Sequence, residues 1–307
     1  MTHQCIIKDI DKRRHSSIYK FKLAYLSRVK SFKNYLFRKG GDGWNVPACI
    51  IAALLSEPVT NVYIGLLPYI SGWKSLWSEY GFFDAGDINS LEALRNVLRE
   101  SVLEPPPVIL LHGLATTPDV WISWAKILKE ARDAKKIGHV IALQLPNDMH
   151  DRMNLVYQAV DDVATIYKEA SLEGVVDLVG HSQGGYAAHL AAFERILEAE
   201  KEFSLDRCHN PNIIKQRNKK VRKLVSLGGA KRIFSEDDLS EAEAFSSPFL
   251  GDHENIFDII GVEDVLCPHH SHLEHKQVYV VEHGHLAMIV CPTVCQLVID
   301  ILSEKKF

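Results

Sequence analysis

Six short apolar runs, separated by longer segments, constrain the fold of this chain more than any other feature of its sequence. They begin after the proline-rich stretch "EPPPV" at 104–108. Runs that are apolar throughout are typical of strands buried on both faces, and their alternation with helical segments predicts a parallel sheet. We therefore predict an α/β fold in which a mostly parallel sheet of about six strands carries helices on both faces. The strands are predicted at 108–111, 139–145, 175–179, 223–228, 256–261 and 277–282.

The alternation of strands and helices is confined to the later two thirds of the chain. Residues 1–104 show none of it, although they are rich in apolar side chains and in Lys and Arg. We predict that residues 105–307 form the α/β domain and that residues 1–104 form a mainly helical N-terminal extension or cap. The helices of the α/β domain are predicted at 118–135, 151–170, 184–200 and 291–303.

A basic amphipathic helix is predicted near the amino terminus. Residues 1–40 contain eleven Lys or Arg and two Asp, a net charge of +9 in a chain whose total is −4. Such a helix can lie on an anionic membrane surface. It can equally dock on the α/β domain with its charges in water, and the sequence does not decide between the two. The apolar side chains that share one helical face are Ile18, Phe21, Tyr25, Val29, Phe32 and Leu36.

Cysteine use and hydropathy bear on the compartment. The six cysteines include no CxxC pair and suggest no disulfide framework, which favours a reducing compartment. No signal peptide is recognisable, and the longest apolar stretch, Cys49 to Leu55, is far shorter than the roughly 20 residues of a membrane span. We predict a cytoplasmic protein without transmembrane helices, either free or peripheral on a membrane through residues 1–40. We expect no nucleic-acid partner.

A G-x-S-x-G motif, Gly180-His181-Ser182-Gln183-Gly184, follows the apolar run at 175–179 and precedes a run of small residues. A sharp turn from strand to helix imposes unusual backbone angles on its central residue, and side chains two positions to either side would collide. Gly180 and Gly184 meet that requirement. Such a turn presents the hydroxyl of Ser182 beside the helix amino terminus, where it can act as a nucleophile. The alternative is that Ser182 is an ordinary turn residue.

A serine nucleophile needs a general base, and the base needs an orienting carboxylate. Downstream of the motif, Asp264 in "GVEDV" and His285 in "EHGHL" each follow a predicted strand. Because the carboxyl ends of parallel strands meet at one edge of a sheet, we predict that both side chains converge there with the serine. Glu263 and Asp258 remain alternative acids, and His283 remains an alternative base.

Two backbone N–H groups near the serine are candidate oxyanion donors. The strand at 108–111 is followed by His112-Gly113-Leu114, and Gly113 allows its backbone to approach closely. We predict that the N–H of Leu114 and the N–H of Gln183 together form an oxyanion hole.

The motifs "LLHGL", "VDLVGHSQGG", "GVEDVLCP" and "HGHLAMI" occur in the order found in the α/β-hydrolase superfamily. Over about residues 106–307 the chain resembles the lipase and esterase branch of that superfamily, with a layout closest to small bacterial triacylglycerol lipases. The resemblance implies an α/β-hydrolase fold with Ser182 as nucleophile, Asp264 as acid and His285 as base. Residues 105–307 would then be the catalytic domain.

A histidine-rich segment late in the chain is a candidate metal site. Several imidazoles in one loop can bind zinc, but no matching cysteine or carboxylate spacing accompanies them. We therefore assign no metal to the protein, and the triad chemistry requires no cofactor. The histidines concerned are His269, His270, His272 and His275.

The predicted function is that of a serine hydrolase that cleaves carboxylic esters through an acyl-enzyme. The apolar and basic N-terminal third favours a small-molecule ester of lipid character as substrate, and thus a lipase or esterase. An acyltransferase, a thioesterase or a peptidase would use the same triad, and the sequence leaves these open. A second hypothesis is a membrane-associated scaffold that keeps the fold without turnover, although a complete triad argues against it.

Overall fold

The computed structural model describes most of the chain, in eight segments. The histidine-rich segment at 269–275 and the last part of the helix predicted at 184–200 lie outside them. The described residues are 17–40, 45–71, 79–99, 103–114, 116–194, 216–229, 255–266 and 278–303.

Nine strands lie within the described segments, and each of the six predicted strands is among them. In chain order they are β1 (Phe83–Asp84), β2 (Val108–Leu111), β3 (Val140–Leu143), β4 (Val176–His181), β5 (Phe193–Glu194), β6 (Gln216–Arg217), β7 (Val221–Leu227), β8 (Ile256–Gly261) and β9 (Val278–Val281).

Seven of these strands form one sheet in the order β1-β3-β2-β4-β7-β8-β9. Every neighbouring pair in this sheet is parallel. The central strands are buried along their whole length, as their apolar sequences predict. The predicted parallel sheet is therefore confirmed, with one strand more than expected. Strands β5 and β6 pair separately as a short antiparallel ribbon.

Helices cover both faces of the sheet, as predicted. The helices of the described segments are α1 (Ser17–Gly40), α2 (Asn45–Ser56), α3 (Pro58–Ser71), α4 (Ile88–Leu98), α5 (Ile122–Asp133), α6 (Met149–Glu169), α7 (Gln183–Ala191), α8 (Ala287–Val290) and α9 (Pro292–Ser303). A 3-10 turn at Pro118–Trp121 precedes α5. Within β2, Val108 and Leu110 pack in a core with α5 and α9, whereas Ile109 and Leu111 pack on the opposite face with α4, α6 and α7.

The strand of the main sheet that sequence reasoning missed is β1. It has two residues, is only half-buried, and pairs with β3 through Phe83 opposite Ile141. A strand this short has no alternation or apolar run to reveal it, because its conformation depends on the neighbour that it pairs with. Both β1 and α4 lie before residue 105 and pack on the sheet. The division of the chain at residue 104 stays a prediction.

Helix α7 is shorter than the helix predicted at 184–200. It ends at Ala191, where Asn218 binds the last turn: its side-chain amide donates to Ala191 O at 3.1 Å, and its backbone N–H donates to Ala192 O at 2.8 Å. These bonds satisfy carbonyls that a continuing helix would have used, and the chain turns into β5.

The predicted N-terminal helix is confirmed as α1, but the face that packs differs from the predicted apolar face. Leu26, Val29 and Lys33 are buried, whereas Phe21, with 77% of its surface exposed, and Phe32 face solvent. On this packed face, Lys33 donates to the backbone carbonyls of Val265 and Leu266, which follow β8. No helix in the described segments is both long and apolar enough to cross a membrane.

Candidate active site

Four of the predicted site residues follow the carboxyl ends of strands of the main sheet. Leu114 follows β2, Ser182 follows β4, Asp264 follows β8 and His285 follows β9. Strands β2 and β4 are direct neighbours, with Leu111 opposite Gly180, so the segments that leave them emerge side by side. Parallel strands thus bring these four positions to one edge of the sheet.

Ser182 occupies a strained turn between β4 and α7. Its backbone has φ 54° and ψ −123°, an unusual conformation for a residue other than glycine. The turn is fixed by two backbone bonds, from Ser182 N–H to Leu227 O at 3.0 Å and from Tyr186 N–H to Ser182 O at 3.2 Å. Strain at a polar residue between strand and helix is typical of functional sites.

Both glycines of the motif lie where a side chain would collide with backbone. A Cβ at Gly180 would lie 2.4 Å from the carbonyl oxygen of Gly184, and a Cβ at Gly184 would lie 2.3 Å from the carbonyl oxygen of Leu111. Neither contact can be relieved by rotating a side chain. The turn therefore requires glycine on both sides of Ser182.

Asp264 and His285 form a buried pair. The Nδ1–H of His285 donates to Asp264 Oδ2 at 2.8 Å, and the two side chains are 3% and 1% exposed. The other oxygen, Oδ1, accepts from the Leu266 N–H at 2.8 Å, which orients the carboxylate. With Nδ1 committed to the carboxylate, Nε2 is the basic nitrogen of the ring.

The alternative acids and the alternative base contact other groups. Asp258 accepts from His189 at 3.2 Å, Glu263 pairs with Lys22 at 2.5 Å, and His283 contacts the Cys291 thiol at 3.1 Å. Asp264 and His285 are the candidate acid and the candidate base that the structure joins by a hydrogen bond. Within the described ranges, no group of three or more His, Cys, Asp or Glu side chains could hold a metal ion.

His181, the residue before Ser182, lies beside the pair. Its ring is 4.6 Å from the ring of His285, and its Nε2–H donates to the backbone carbonyl of His285 at 2.9 Å. Burial, and then the charge of His285, lower the pKa of His181 to about 3, so it is neutral at ordinary pH. A neutral His181 adds no positive charge that would oppose protonation of His285.

The loop that carries Leu114 runs past the serine. A Cβ at Gly113 would lie 3.1 Å from Ser182 Cβ, so a side chain there would crowd Ser182. The carbonyl of Gly113 accepts from His112 Nδ1–H at 2.8 Å and from the Thr116 hydroxyl at 3.1 Å. In a trans peptide the C=O and N–H point in opposite directions, so these bonds also fix the direction of the Leu114 N–H.

A buried arginine, Arg152, donates hydrogen bonds to the backbone of this loop. Arg152 is fully buried and donates to the carbonyls of Pro146 at 3.0 Å and His112 at 3.2 Å. Burial lowers the pKa of Arg152 to about 10, so it stays charged at neutral pH. Among the described residues no carboxylate pairs with it. Its charge is held by backbone oxygens next to the predicted oxyanion donors.

The second predicted donor lies at the start of α7. Gln183 is the first residue of that helix and is buried. The first N–H groups of a helix have no partner within the helix and point outward along its axis. The N–H of Gln183 is therefore oriented toward the end of the sheet from which Ser182 projects.

Several residues around the site were missed by sequence reasoning. Gly228, at φ 52°, lies so close to the pair that its Cβ would be 2.9 Å from Asp264 Oδ2 and 3.1 Å from His285 Nδ1. Lys33 and Glu57 reach the same loops from the N-terminal helices. No local pattern marks such residues, because their partners are backbone groups or side chains distant in sequence.

Three solved structures are similar to this chain. Naproxen esterase (carboxylesterase NP) from Bacillus subtilis is 14% identical, with a TM-score of 0.38 and coverage of 64% of this chain and 83% of that one. A soluble variant of monoglyceride lipase from Saccharomyces cerevisiae is 10% identical, with a TM-score of 0.40 and coverage of 67% and 87%. Esterase 2 from Thermogutta terrifontis is 12% identical, with a TM-score of 0.43 and coverage of 65% and 83%.

Family membership rests on the sequence. No curated protein matches the chain. A sequence model described as "Alpha/beta hydrolase family" matches residues 108–288, which is more than half of the chain and runs from β2 past His285. Its span contains both predicted oxyanion donors and all three predicted triad residues. With that match and a parallel sheet covered on both faces, the chain belongs to the alpha/beta hydrolase family.

Proposed function

We propose that the protein is a serine hydrolase of carboxylic esters whose triad is Ser182, Asp264 and His285. The observation that carries the proposal is the buried 2.8 Å bond between His285 and Asp264, at the sheet edge where Ser182 lies in its strained turn. A carboxylate that holds Nδ1–H keeps the imidazole in the tautomer whose Nε2 can accept a proton. The same carboxylate stabilises the imidazolium that then forms.

In the proposed reaction, the Ser182 oxygen attacks the ester carbonyl while His285 Nε2 takes the hydroxyl proton. The N–H groups of Leu114 and Gln183 stabilise the oxyanion that develops on the carbonyl oxygen. The intermediate then expels the alcohol, which receives the proton from His285, and the acyl group stays on Ser182. Water, deprotonated by the same histidine, attacks the acyl-enzyme and releases the carboxylic acid.

We further propose that the substrates are lipid-like esters presented at an anionic membrane surface. Helix α1 contains seven Lys or Arg and no Asp or Glu. Apolar side chains protrude from α1, α2 and α3, and an apolar basic surface of this kind favours contact with anionic lipid. The exposed side chains are Phe21, Tyr25, Phe32, Tyr35, Leu54, Leu55, Val59, Val62, Tyr63 and Leu66.

The triad is tested with Ser182→Ala in a p-nitrophenyl ester assay. We expect kcat to fall on the order of 10⁵-fold or more, because the nucleophile is absent. Ser31→Ala is the control, since Ser31 is exposed and bonds only within α1. A Ser182→Ala variant that keeps the wild-type rate contradicts the assignment. A fluorophosphonate probe separates an enzyme from a scaffold, because only a reactive serine is labelled.

The lipid preference is tested over esters of increasing chain length, with and without anionic liposomes. We expect liposomes to raise the rate for wild type and to raise it less for Phe21→Ser. Ile88→Ser is the matched control, because Ile88 is 78% exposed and Phe21 is 77% exposed, but Ile88 lies on α4. Deleting residues 1–40 would be a poor test, since it also removes the buried Lys33. An equal liposome effect in all three proteins contradicts the proposal.

A further inference from the structure

Two charged side chains from the N-terminal helical region, the buried Lys33 and the partly buried Glu57, bind the loops that carry Asp264 and His285. Lys33 of α1 is 4% exposed, and its ammonium donates to Val265 O at 2.9 Å and to Leu266 O at 3.0 Å. These carbonyls belong to the two residues directly after Asp264. A buried ammonium must be satisfied by hydrogen-bond acceptors. Here the described acceptors are backbone carbonyls of the loop that carries Asp264, called the acid loop below (Asp264–Leu266).

Glu57, which has the opposite charge, binds the backbone of the loop that carries His285, called the histidine loop below (Gly284–Ala287). Its carboxylate, between α2 and α3, accepts from the N–H of Leu286 at 3.0 Å and from the N–H of Ala287 at 2.6 Å. These are the two residues directly after His285. A Cβ at Gly284 would lie 2.3 Å from Glu57 Cδ, so the glycine before His285 makes room for the carboxylate.

An apolar contact joins the same elements. Leu26 and Val29 of α1, Ala52 of α2 and Val265 of the acid loop form one buried cluster. Lys33 lies one turn beyond Val29 on the same face of α1, so packing and hydrogen bonding act on one loop. The histidine loop leaves β9, which is the edge strand and is mostly half-buried. Its position therefore depends on contacts outside the sheet.

We propose that Lys33 and Glu57 are positioning residues that hold the Asp264 carboxylate and the His285 imidazole in the relative position that a general base requires. This role rests on the proposed function. Each binds the backbone immediately after a triad residue, where a small shift of the loop moves the side chain that the loop carries. Misplacement of a catalytic group by about 1 Å can lower a rate roughly 10²-fold. The N-terminal helices are then part of the catalytic unit.

Glu57 also acts on the charge of the site. Burial raises the pKa of Glu57, while its two backbone bonds and the charge of His285 lower it. The interaction is mutual, so the Glu57 carboxylate favours protonated His285. Among the described residues, the groups that contact His285 include Asp264, which is retained in the test variants, and His181, which is neutral. Removing the charge of Glu57 should therefore move the acid limb of the pH–rate profile to lower pH.

The experiment uses the full chain with Glu57→Gln and Lys33→Met. The control for Glu57→Gln is Glu92→Gln, on the surface of α4. The control for Lys33→Met is Lys22→Met, because Lys22 also lies on α1 and also contacts the acid loop, where it pairs with Glu263 and is half-exposed. We expect kcat for a p-nitrophenyl ester to fall about 10- to 100-fold in the two test variants, with KM little changed. We expect both controls to stay within about threefold of wild type.

Three readouts separate positioning from a purely structural role. Hydrogen exchange at Leu286 and Ala287 should be faster in Glu57→Gln, independently of any activity. The acid limb should move in Glu57→Gln and stay in place in Lys33→Met. Lys33→Arg, which retains donors, should recover much of the rate lost in Lys33→Met; this pair also decides the matter if Glu57→Gln does not fold.

The outcomes distinguish this proposal from the proposed function. If wild type is labelled by a fluorophosphonate at Ser182 and the folded Glu57→Gln and Lys33→Met variants keep the wild-type kcat, the positioning role is overturned and the hydrolase stands. If wild type is neither active nor labelled, the proposed function falls, and the positioning role falls with it. Faster exchange together with lower kcat and unchanged KM supports both.

Discussion

The candidate site has two halves that are held in place by different parts of the chain. The oxyanion half consists of Ser182 and the two predicted oxyanion donors, Leu114 and Gln183, and its supports, His112 and Arg152, lie in the same stretch of chain. The base half consists of Asp264 and His285, and part of its support comes from Lys33 and Glu57, more than 200 residues earlier.

The physical solution is nevertheless similar in the two halves. In each half, a buried cation donates to backbone carbonyls of a loop. Arg152 donates to the loop that follows β2 and carries Leu114, called the oxyanion loop below, and Lys33 donates to the acid loop. A buried cation satisfied by carbonyls orients a loop strongly, because displacing the loop leaves a charge unsolvated. The region that the family model matches, 108–288, therefore does not contain all the residues that bind the loops of the candidate site, since Lys33 and Glu57 lie before it.

The largest expected effect tests the base half itself. Asp264→Asn should lower kcat about 10⁴-fold, because an amide no longer holds the Nδ1–H tautomer of His285. Kinetics with a p-nitrophenyl ester measure the effect. Glu263→Gln is the control, since Glu263 is adjacent in sequence but pairs with Lys22. Equal losses in the two variants would mean that the acid has been assigned to the wrong residue.

The next effect tests the oxyanion half. Arg152→Met leaves two buried carbonyls without their donor, so we expect the free energy of unfolding to fall by about 2–4 kcal/mol. We also expect kcat to fall about 10²-fold, through loss of one well-placed oxyanion donor. Urea unfolding and ester kinetics measure both.

Lys33→Met removes the corresponding buried cation from the base half, so its effect can be compared directly with that of Arg152→Met. Lys33 supports the loop after β8, next to the edge strand β9, whereas Arg152 supports the loop after the interior strand β2, so the stability loss should be smaller for Lys33. Arg99→Met, on the exposed end of α4, serves as the surface control. If Lys33→Met destabilises the protein more than Arg152→Met, the sheet centre is not the more cooperative part of the structure.

The smallest effect concerns His283, whose ring contacts the Cys291 thiol at 3.1 Å. Burial alone would raise the pKa of Cys291, but hydrogen bonds, first of all from His283, lower it to about 7. His283→Gln should move the midpoint of Cys291 alkylation by iodoacetamide to higher pH, because the thiolate loses that bond.

The ester rate should change less than about threefold in His283→Gln, since the triad keeps its contacts. Alkylation followed by mass spectrometry across pH reads the first effect, and p-nitrophenyl ester kinetics read the second. Cys295 is an internal reference, because burial raises the pKa of its thiol. A large loss of activity would transfer the role of base toward His283.

Much of the fold could be predicted because its signals are local. The apolar runs marked six strands of the main sheet, since strands buried on both faces leave an uninterrupted apolar record. Strand β1 left no such record, and the end of α7 depended on Asn218, which lies 27 residues beyond Ala191. Both required a partner that proximity in sequence does not identify.

The side chains around the site divide in the same way. Gly180 and Gly184 were predictable because a tight turn has steric requirements within five residues. Gly228 was not, because its φ of 52° and its contacts with Asp264 and His285 arise only when three strands lie side by side. The packed face of α1 was also missed, since Lys33 looks like a solvated lysine until Val265 and Leu266 are placed against it.

By itself, the sequence determined the parallel sheet, the serine turn and the chain order of nucleophile, acid and base candidates, because apolar runs and glycine spacing act over short distances. Only the tertiary structure decided which carboxylate meets His285, how His112 and Arg152 orient the oxyanion loop, and that N-terminal helices reach the base half. The reason is that a buried charge or hydrogen bond is satisfied by whichever group the fold brings within about 3 Å, and chain separation does not limit that choice.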